Sequence, residues 1–311
     1  MQAANHLESN QRRKPMKVLF LNGTRCENLY GVSFYNPTFL YGISCFEGIR
    51  AYWRSDTRQL IFLDLQEHIR RLYNSAEHMS FQPPLRPDRL QAEVLEISER
   101  ERIQEDVYVR ITFFLGGDGS WHSANDIHYM ISIRSMPSEL GTRAPAAVGL
   151  TRYRRIAGNA MPPHVKAGAN YLNSRYAMLD IRSRGFDEAL FLTADGLVCE
   201  ATGSTIFLFK DGELHTPSLE CDILPGITRA RIISLCAAVS LRVRELKIPQ
   251  EHLSTYEGAL LTGTMVEIRA VSRLAAWTYE PQSSLHNRVL KLFRQYVYTG
   301  GPEQDCVTYA P

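Results

Sequence analysis

Short runs of β-forming residues at 17–21, 48–53, 106–115 and 128–134 are interrupted by two stretches of helical periodicity, 64–79 and 86–103. In the first stretch Leu65, Ile69, Leu72 and Ala76 recur at spacings of four, three and four. That spacing gathers them on one face and turns the charged residues elsewhere. Two prolines and a glycine among polar residues mark 137–147 as a linker, so a smaller first domain is expected over 16–136 and a larger second one over 148–311. The second half carries Asp195-Gly196 and Asp211-Gly212, each between β-forming runs (189–192 and 197–199; 205–209 and 213–215), the pattern of tight hairpin turns. Helical patterns stand at 171–183, 228–239 and 286–298, and no repeat of fixed period is present. The expected class is α+β.

A chain of 311 residues has room for about two domains. With 44% apolar residues, 20 glycines and 15 prolines, it is neither disordered nor collagenous. Lys and Arg number 35 against 33 Asp and Glu; a net charge of +2 makes neither nucleic acid nor an anionic membrane the expected partner. A small molecule is expected instead. The cysteines, Cys26, Cys45, Cys199, Cys221, Cys236 and Cys306, form no C-x-x-C pair, which points to a reducing compartment, the cytoplasm. No apolar run approaches the roughly 18–20 residues of a membrane helix. The apolar stretch behind Arg12-Arg13-Lys14 is too short for a signal sequence, and residues 1–15 read as a polar extension.

Only six of the 35 basic side chains are lysines, and arginine cannot supply a primary amine for covalent chemistry. Lys14, Lys17, Lys210, Lys247 and Lys291 all read as solvated charges. Lys166 differs, because Ala167-Gly168-Ala169-Asn170 beside it leave room for a bulky group; taken alone, a loop lysine paired with a carboxylate explains it as well. The common Gly-rich nucleotide motifs, the G-x-S-x-G elbow and H-E-x-x-H are all absent. His122 and His128 have no Cys or acidic partner at metal spacing, so no metal site is expected. Arg152-Tyr153-Arg154-Arg155 reads either as a phosphate contact or, more commonly, as a strand with one solvated face. Leu224-Pro225-Gly226-Ile227-Thr228-Arg229 opens a helix whose free N–H groups suit a phosphate, although an ordinary cap by Thr228 fits equally. Thr262-Gly263-Thr264 is either a tight turn or a second set of phosphate donors.

Taken together these segments resemble a family. Tyr41-Gly42-Ile43-Ser44-Cys45-Phe46-Glu47-Gly48-Ile49-Arg50, His68-Ile69-Arg70-Arg71-Leu72, Lys166-Ala167-Gly168-Ala169-Asn170-Tyr171 and Gly185-Phe186-Asp187-Glu188 stand in the order seen in fold type IV pyridoxal-phosphate aminotransferases. Glu200-Ala201-Thr202-Gly203, the Leu224–Arg229 segment and Thr262-Gly263-Thr264 continue that order, and the whole is most similar to the branched-chain aminotransferases. The resemblance runs from about residue 20 to 275 and implies the two-domain fold of the D-amino-acid aminotransferase type.

It also implies roles. Lys166 would carry pyridoxal 5'-phosphate and move the substrate proton, Glu200 would face the pyridine nitrogen, and Tyr171 the 3′ oxygen. Arg71, Ile227, Thr228 and Thr264 would hold the phosphate; helical geometry alone does not choose Arg71 over Arg70. Tyr41, Phe46, Gly48, Arg50, Tyr108, Arg110, Thr264 and Met265 would border the substrate, with Arg110 answering glutamate's distal carboxylate. Ser204-Thr205 stands where an acid–Asn pair is usual, and Met265-Val266 replaces two small residues, departures that bear on substrate identity. The expected reaction exchanges an amino group between an apolar, branched-chain L-amino acid and 2-oxoglutarate, in a homodimer. A D-amino-acid or (R)-amine transaminase, or an aminodeoxychorismate-type lyase, shares the fold. A catalytically silent metabolite-binding relative is the reading of another class, and the retained Lys166, Glu200 and Arg71 speak against it.

Overall fold

The structure, a computed structural model, describes residues 17–27, 32–299 and 304–310. The polar extension read over 1–15 lies outside the described residues. The first half contains β1 (Lys17–Leu21), β2 (Thr24–Arg25), α1 (Pro37–Tyr41), β3 (Ser44–Arg54), β4 (Gln59–Phe62), α2 (Leu65–His78), α3 (Pro87–Arg100), β5 (Val107–Leu115) and β6 (Ile127–Ser135). The second contains β7 (Ala146–Arg154), α4 (Tyr171–Arg182), β8 (Glu188–Leu192), β9 (Val198–Ala201), β10 (Thr205–Lys210), β11 (Glu213–Pro217), α5 (Ile227–Ala238), β12 (Val243–Leu246), β13 (Gly258–Gly263), β14 (Glu267–Leu274), β15 (Trp277–Thr278), α6 (Ser284–Thr299) and β16 (Cys306–Thr308).

The first sheet runs β16-β4-β3-β5-β6-β1-β2 and is antiparallel throughout. Helices α2 and α3 close one face. The predicted stripe Leu65, Ile69, Leu72 and Ala76 is buried there with Leu90, Val94 and Ile97. The second sheet runs β12-β11-β10-β13-β14-β7-β8-β9, with β7 parallel to both of its neighbours. It is buried on two faces, which β10 records in its two-residue period. Ile206 and Leu208 enter one cluster, while Phe207 and Phe209 enter another with Ile232 of α5 and Phe293 of α6. Both Asp-Gly turns form as expected; Asp211 and Gly212 each take positive φ, the geometry a two-residue hairpin requires.

The tail departs from the expected partition. Although it follows α6, β16 returns to the first sheet as the edge partner of β4, buries Val307, and brings the Tyr309 ring to 5.5 Å from Trp53. Strand β7 likewise begins inside the span read as a linker. Two backbone bonds join the halves at the site: the Phe46 N–H donates to the Lys166 carbonyl (3.1 Å) and the Gly168 N–H to the Ser44 carbonyl (2.8 Å). Among the described residues no helix is long and apolar enough to cross a membrane.

Candidate active site

Lys166 lies in the irregular segment between β7 and α4, and three elements fix it. Its carbonyl is held by β3, its own N–H donates to Ser75 Oγ on α2 (3.1 Å), and its Nζ donates to Tyr171 Oη (2.8 Å) at the start of α4. The docking is close at Gly168, where a Cβ would come within 2.7 Å of Ser44 Oγ and push that hydroxyl aside. The amine stands 5.0 Å from the centre of the Phe46 ring, which itself tilts against Tyr171 at 5.1 Å.

Glu200 on β9 is buried, accepts from the Leu224 N–H (3.2 Å), and pairs with Arg155 at 2.9 Å. Burial lifts its proton affinity above the ordinary carboxylate value, opposed first by Arg155, then by the Leu224 N–H, Lys166 and Arg71. Arg155 thus belongs to this carboxylate. Of the two readings of the 152–155 run, the strand with a solvated face holds through Arg154, where Arg152 and Arg154 are exposed, whereas Arg155 turns inward just beyond β7.

Arg71 projects from α2 toward the start of α5. Its Nε and one terminal nitrogen donate to the two oxygens of Glu47 (2.6 and 3.0 Å), and the other donates to the Pro225 carbonyl (2.8 Å). His68, one turn back, meets Glu47 at 2.7 Å. Burial alone would lower the Arg71 proton affinity, but Glu47 overrides it and the net shift is upward. Arg70, the alternative, points out and pairs with Glu67. Across from Arg71, α5 begins at Ile227 behind Gly226, and no side chain caps it. Its first N–H groups therefore remain available for an anion, and Thr228 sits in that first turn rather than serving as the cap. Thr264 follows the end of β13 beside them.

The substrate side comes from the first sheet. Tyr108 packs so closely on Gly48 that a Cβ at 48 would lie 2.1 Å from its hydroxyl, so any side chain there must displace the ring. The Arg110 guanidinium lies 3.6 Å from the Phe46 ring centre and donates to Thr112 (3.3 Å). One cavity of about 340 Å³ is lined by Phe46, Gly48, Arg71, Tyr108, Arg110, Lys166, Tyr171, Glu200, Ile227, Thr228, Thr264 and Met265. Two expected residues are not among its lining. Arg50 is buried against Glu267 (3.4 Å) beside Tyr52, so its charge is consumed in a structural pair. Tyr41 is half exposed on α1 against Trp121. Glu47, which the sequence motif contains but to which no role attaches, proves to be the anchor of Arg71.

This donor set suits a phosphate-bearing pyridine aldehyde: an amine, a buried carboxylate, and an uncapped helix N-terminus beside a guanidinium, all opening on one cavity. The comparisons agree. The model of the amino-transferase class IV family matches residues 44–274. A probable branched-chain-amino-acid aminotransferase of Aquifex aeolicus is 32% identical over 247 residues, covering 77% of this chain and 78% of its own. The branched-chain aminotransferase of Thermoproteus uzoniensis, solved with norvaline, superposes with a TM-score of 0.85 at 29% identity over 93% of this chain and 97% of its own. The branched-chain amino acid aminotransferase of Thermobaculum terrenum in its PLP form has the same fold, with a TM-score of 0.87 at 24% identity over 94% of this chain and 98% of its own. Motif order, fold and cavity converge, and the chain belongs to the class IV aminotransferases, a family of pyridoxal-phosphate-dependent enzymes.

Proposed function

We propose that the protein transfers an amino group between an apolar, branched-chain L-amino acid and 2-oxoglutarate. The observation that carries this is the cavity in which the Lys166 amine faces an apolar wall of Phe46, Tyr108 and Met265 while a cation, Arg110, stands on the same side. When bound, pyridoxal phosphate supplies the electron sink that labilises bonds at an amino acid's α-carbon. Lys166 Nζ carries the cofactor and moves the proton at that carbon, and Tyr171 Oη orients the amine. Glu200, paired with Arg155 and the Leu224 N–H, would face the ring nitrogen and hold a proton there. Arg71, Ile227, Thr228 and Thr264 bind the phosphate, with Glu47 fixing the guanidinium. The aromatic wall excludes water from the apolar side chain, and Arg110 receives the distal carboxylate of glutamate.

The exposed cluster Phe34, Tyr35, Phe39, Leu40, Tyr41 and Trp121 supports a homodimer. The six free thiols suit the cytoplasm.

The test is direct. Protein saturated with pyridoxal phosphate and reduced with borohydride should carry the adduct on Lys166 by peptide mass spectrometry, and Lys166→Ala should lose the visible absorbance band. L-leucine with 2-oxoglutarate should then yield glutamate. An adduct on another lysine overturns the site; pyruvate release from aminodeoxychorismate, or a preference for D-amino acids, overturns the reaction.

A further inference from the structure

Thr205, the first residue of β10, carries a hydroxyl that the roles above leave without a partner. The residue is 5% exposed and lines the same cavity as Lys166. Its Oγ1 makes no hydrogen bond among the described residues, yet it is not sealed in, unlike the equally unpartnered Oγ of Ser204 beside it. Buried hydroxyls are normally bonded, so one left open on a cavity calls for an explanation.

Strand geometry fixes its direction. Side chains of β10 alternate between two faces. Ile206 and Leu208 enter the cluster on one face, whereas Phe207 and Phe209 pack with Ile232 of α5 on the other. Thr205 has the parity of Phe207, so it faces α5 while Ser204 faces away. Distance agrees with parity, since a Cβ built on Gly226, the N-cap of α5, would lie 3.3 Å from Thr205 Oγ1. No side chain caps that helix, so its free N–H groups share this end with the hydroxyl. Within the sheet Thr205 stands opposite Thr262, and Thr264 follows two residues on. The hydroxyl is therefore placed between the α5 start and the β13 end, which carry Ile227, Thr228 and Thr264, the donors assigned to the phosphate. A threonine hydroxyl donates one hydrogen bond and brings no charge that would repel a dianion.

We propose that Thr205 Oγ1 donates to a phosphate oxygen of the cofactor that Lys166 carries. The inference rests on the pyridoxal-phosphate reading of the site and adds a cofactor-retaining hydroxyl to it. Because that hydroxyl bonds nothing in the protein, it contributes to holding the phosphate and not to the fold.

The experiment titrates cofactor-free full-length protein with pyridoxal phosphate and separately with pyridoxal, following visible absorbance, for wild type, Thr205→Val, Thr205→Ser and Ser204→Ala. Each protein is also melted without cofactor. Valine keeps the branched shape and removes only the hydroxyl. Losing one hydrogen bond to a charged group should weaken pyridoxal phosphate about tenfold in Thr205→Val and leave pyridoxal within about twofold. Thr205→Ser keeps the donor and Ser204→Ala removes a hydroxyl that faces away, so both should bind pyridoxal phosphate within about threefold of wild type. Cofactor-free Thr205→Val should melt no lower than wild type, because it loses no bond within the protein. Equal weakening of both compounds, no weakening of either, or a serine variant as weak as the valine one would each overturn the assignment. So would an equal loss in Ser204→Ala, or a cofactor-free valine variant that melts several degrees lower, which would show that the hydroxyl serves the fold. If wild type binds neither compound, the cofactor reading itself falls, an outcome distinct from these.

Discussion

Arg110 lies flat on Phe46 inside the cavity, and its Nε bond to Thr112 leaves the terminal nitrogens of the fork without an acceptor among the described residues. A second carboxylate is what such a group receives, and of the two amino donors, leucine and glutamate, only glutamate presents one. Arg110→Ala should therefore lower kcat/KM for glutamate at least tenfold more than for leucine, about 1.4 kcal/mol of selective loss. Equal losses with both donors would remove the role. Glu47 yields a different prediction. Burial resists its ionisation, but Arg71 and His68 prevail and hold its proton affinity far below the ordinary value of 4.5. As pH falls the unfolded chain takes up this proton before the folded one, so the contribution to stability is whole above about pH 5 and shrinks below it. Replacing the carboxylate by an amide strands the buried Arg71 charge. Glu47→Gln should cost about 3 kcal/mol at pH 7 in urea melts and flatten the acid limb of stability; an unchanged acid limb would show that the pair is not the sensitive group. At this scale the sequence made Lys166, Tyr171, Glu200 and Arg71 legible through motif order. It could not mark Glu47 or Arg155, because each gains its meaning from a partner 24 or 45 residues away that only the folded sheet brings near.

Among elements, α2 illustrates what periodicity can and cannot say. Its apolar stripe is visible in the spacing of Leu65, Ile69, Leu72 and Ala76, yet the flank of that stripe carries His68, Arg71 and Ser75 into the site. Polar residues at those positions look like the solvated edge of an amphipathic helix until β3 and the Lys166 segment are packed against them. For α5, two explanations of Thr228 were equal in the sequence; the backbone decides, because Gly226 occupies the cap. Strands β3 and β5 pair in register with Gly48 opposite Arg110 and Arg50 opposite Tyr108, which lays Tyr108 diagonally over Gly48. Gly48→Ala must displace that ring. The expected result is a stability cost of about 1–3 kcal/mol together with a raised KM for the amino donor. Combined with Tyr108→Ala, it should cost less than the two changes summed, because the clash disappears with the ring. Strict additivity in a double-mutant cycle would show that the two side chains do not meet.

Over the whole molecule, the mixture of strands and helices in both halves follows from the strand and turn patterns, whereas the return of β16 to the first sheet does not. Three residues forming an edge strand carry no periodicity, and their address is set by Val307 and Tyr309 finding apolar partners. The outward aromatic cluster escaped composition for a related reason. Phe34, Tyr35, Phe39, Leu40 and Tyr41 are distant in sequence from Trp121, and they meet because the Thr38 hydroxyl accepts from the Leu115 N–H and tethers α1 to the end of β5. In the fold Phe34 contacts Phe39 and Tyr41 contacts Trp121, so the exposed rings stand as two packed pairs at the two ends of α1. A second copy of the chain would bury both pairs, and aromatic side chains of this kind dominate interface energetics. Light scattering should accordingly give twice the chain mass at micromolar concentration. Introducing charge through Phe39→Asp with Trp121→Asp should yield a folded monomer, because both side chains are mostly exposed and the core beneath them is untouched. A wild type that runs as a monomer would remove the dimer, and a doubly charged variant that remains a dimer would place the subunit contact elsewhere.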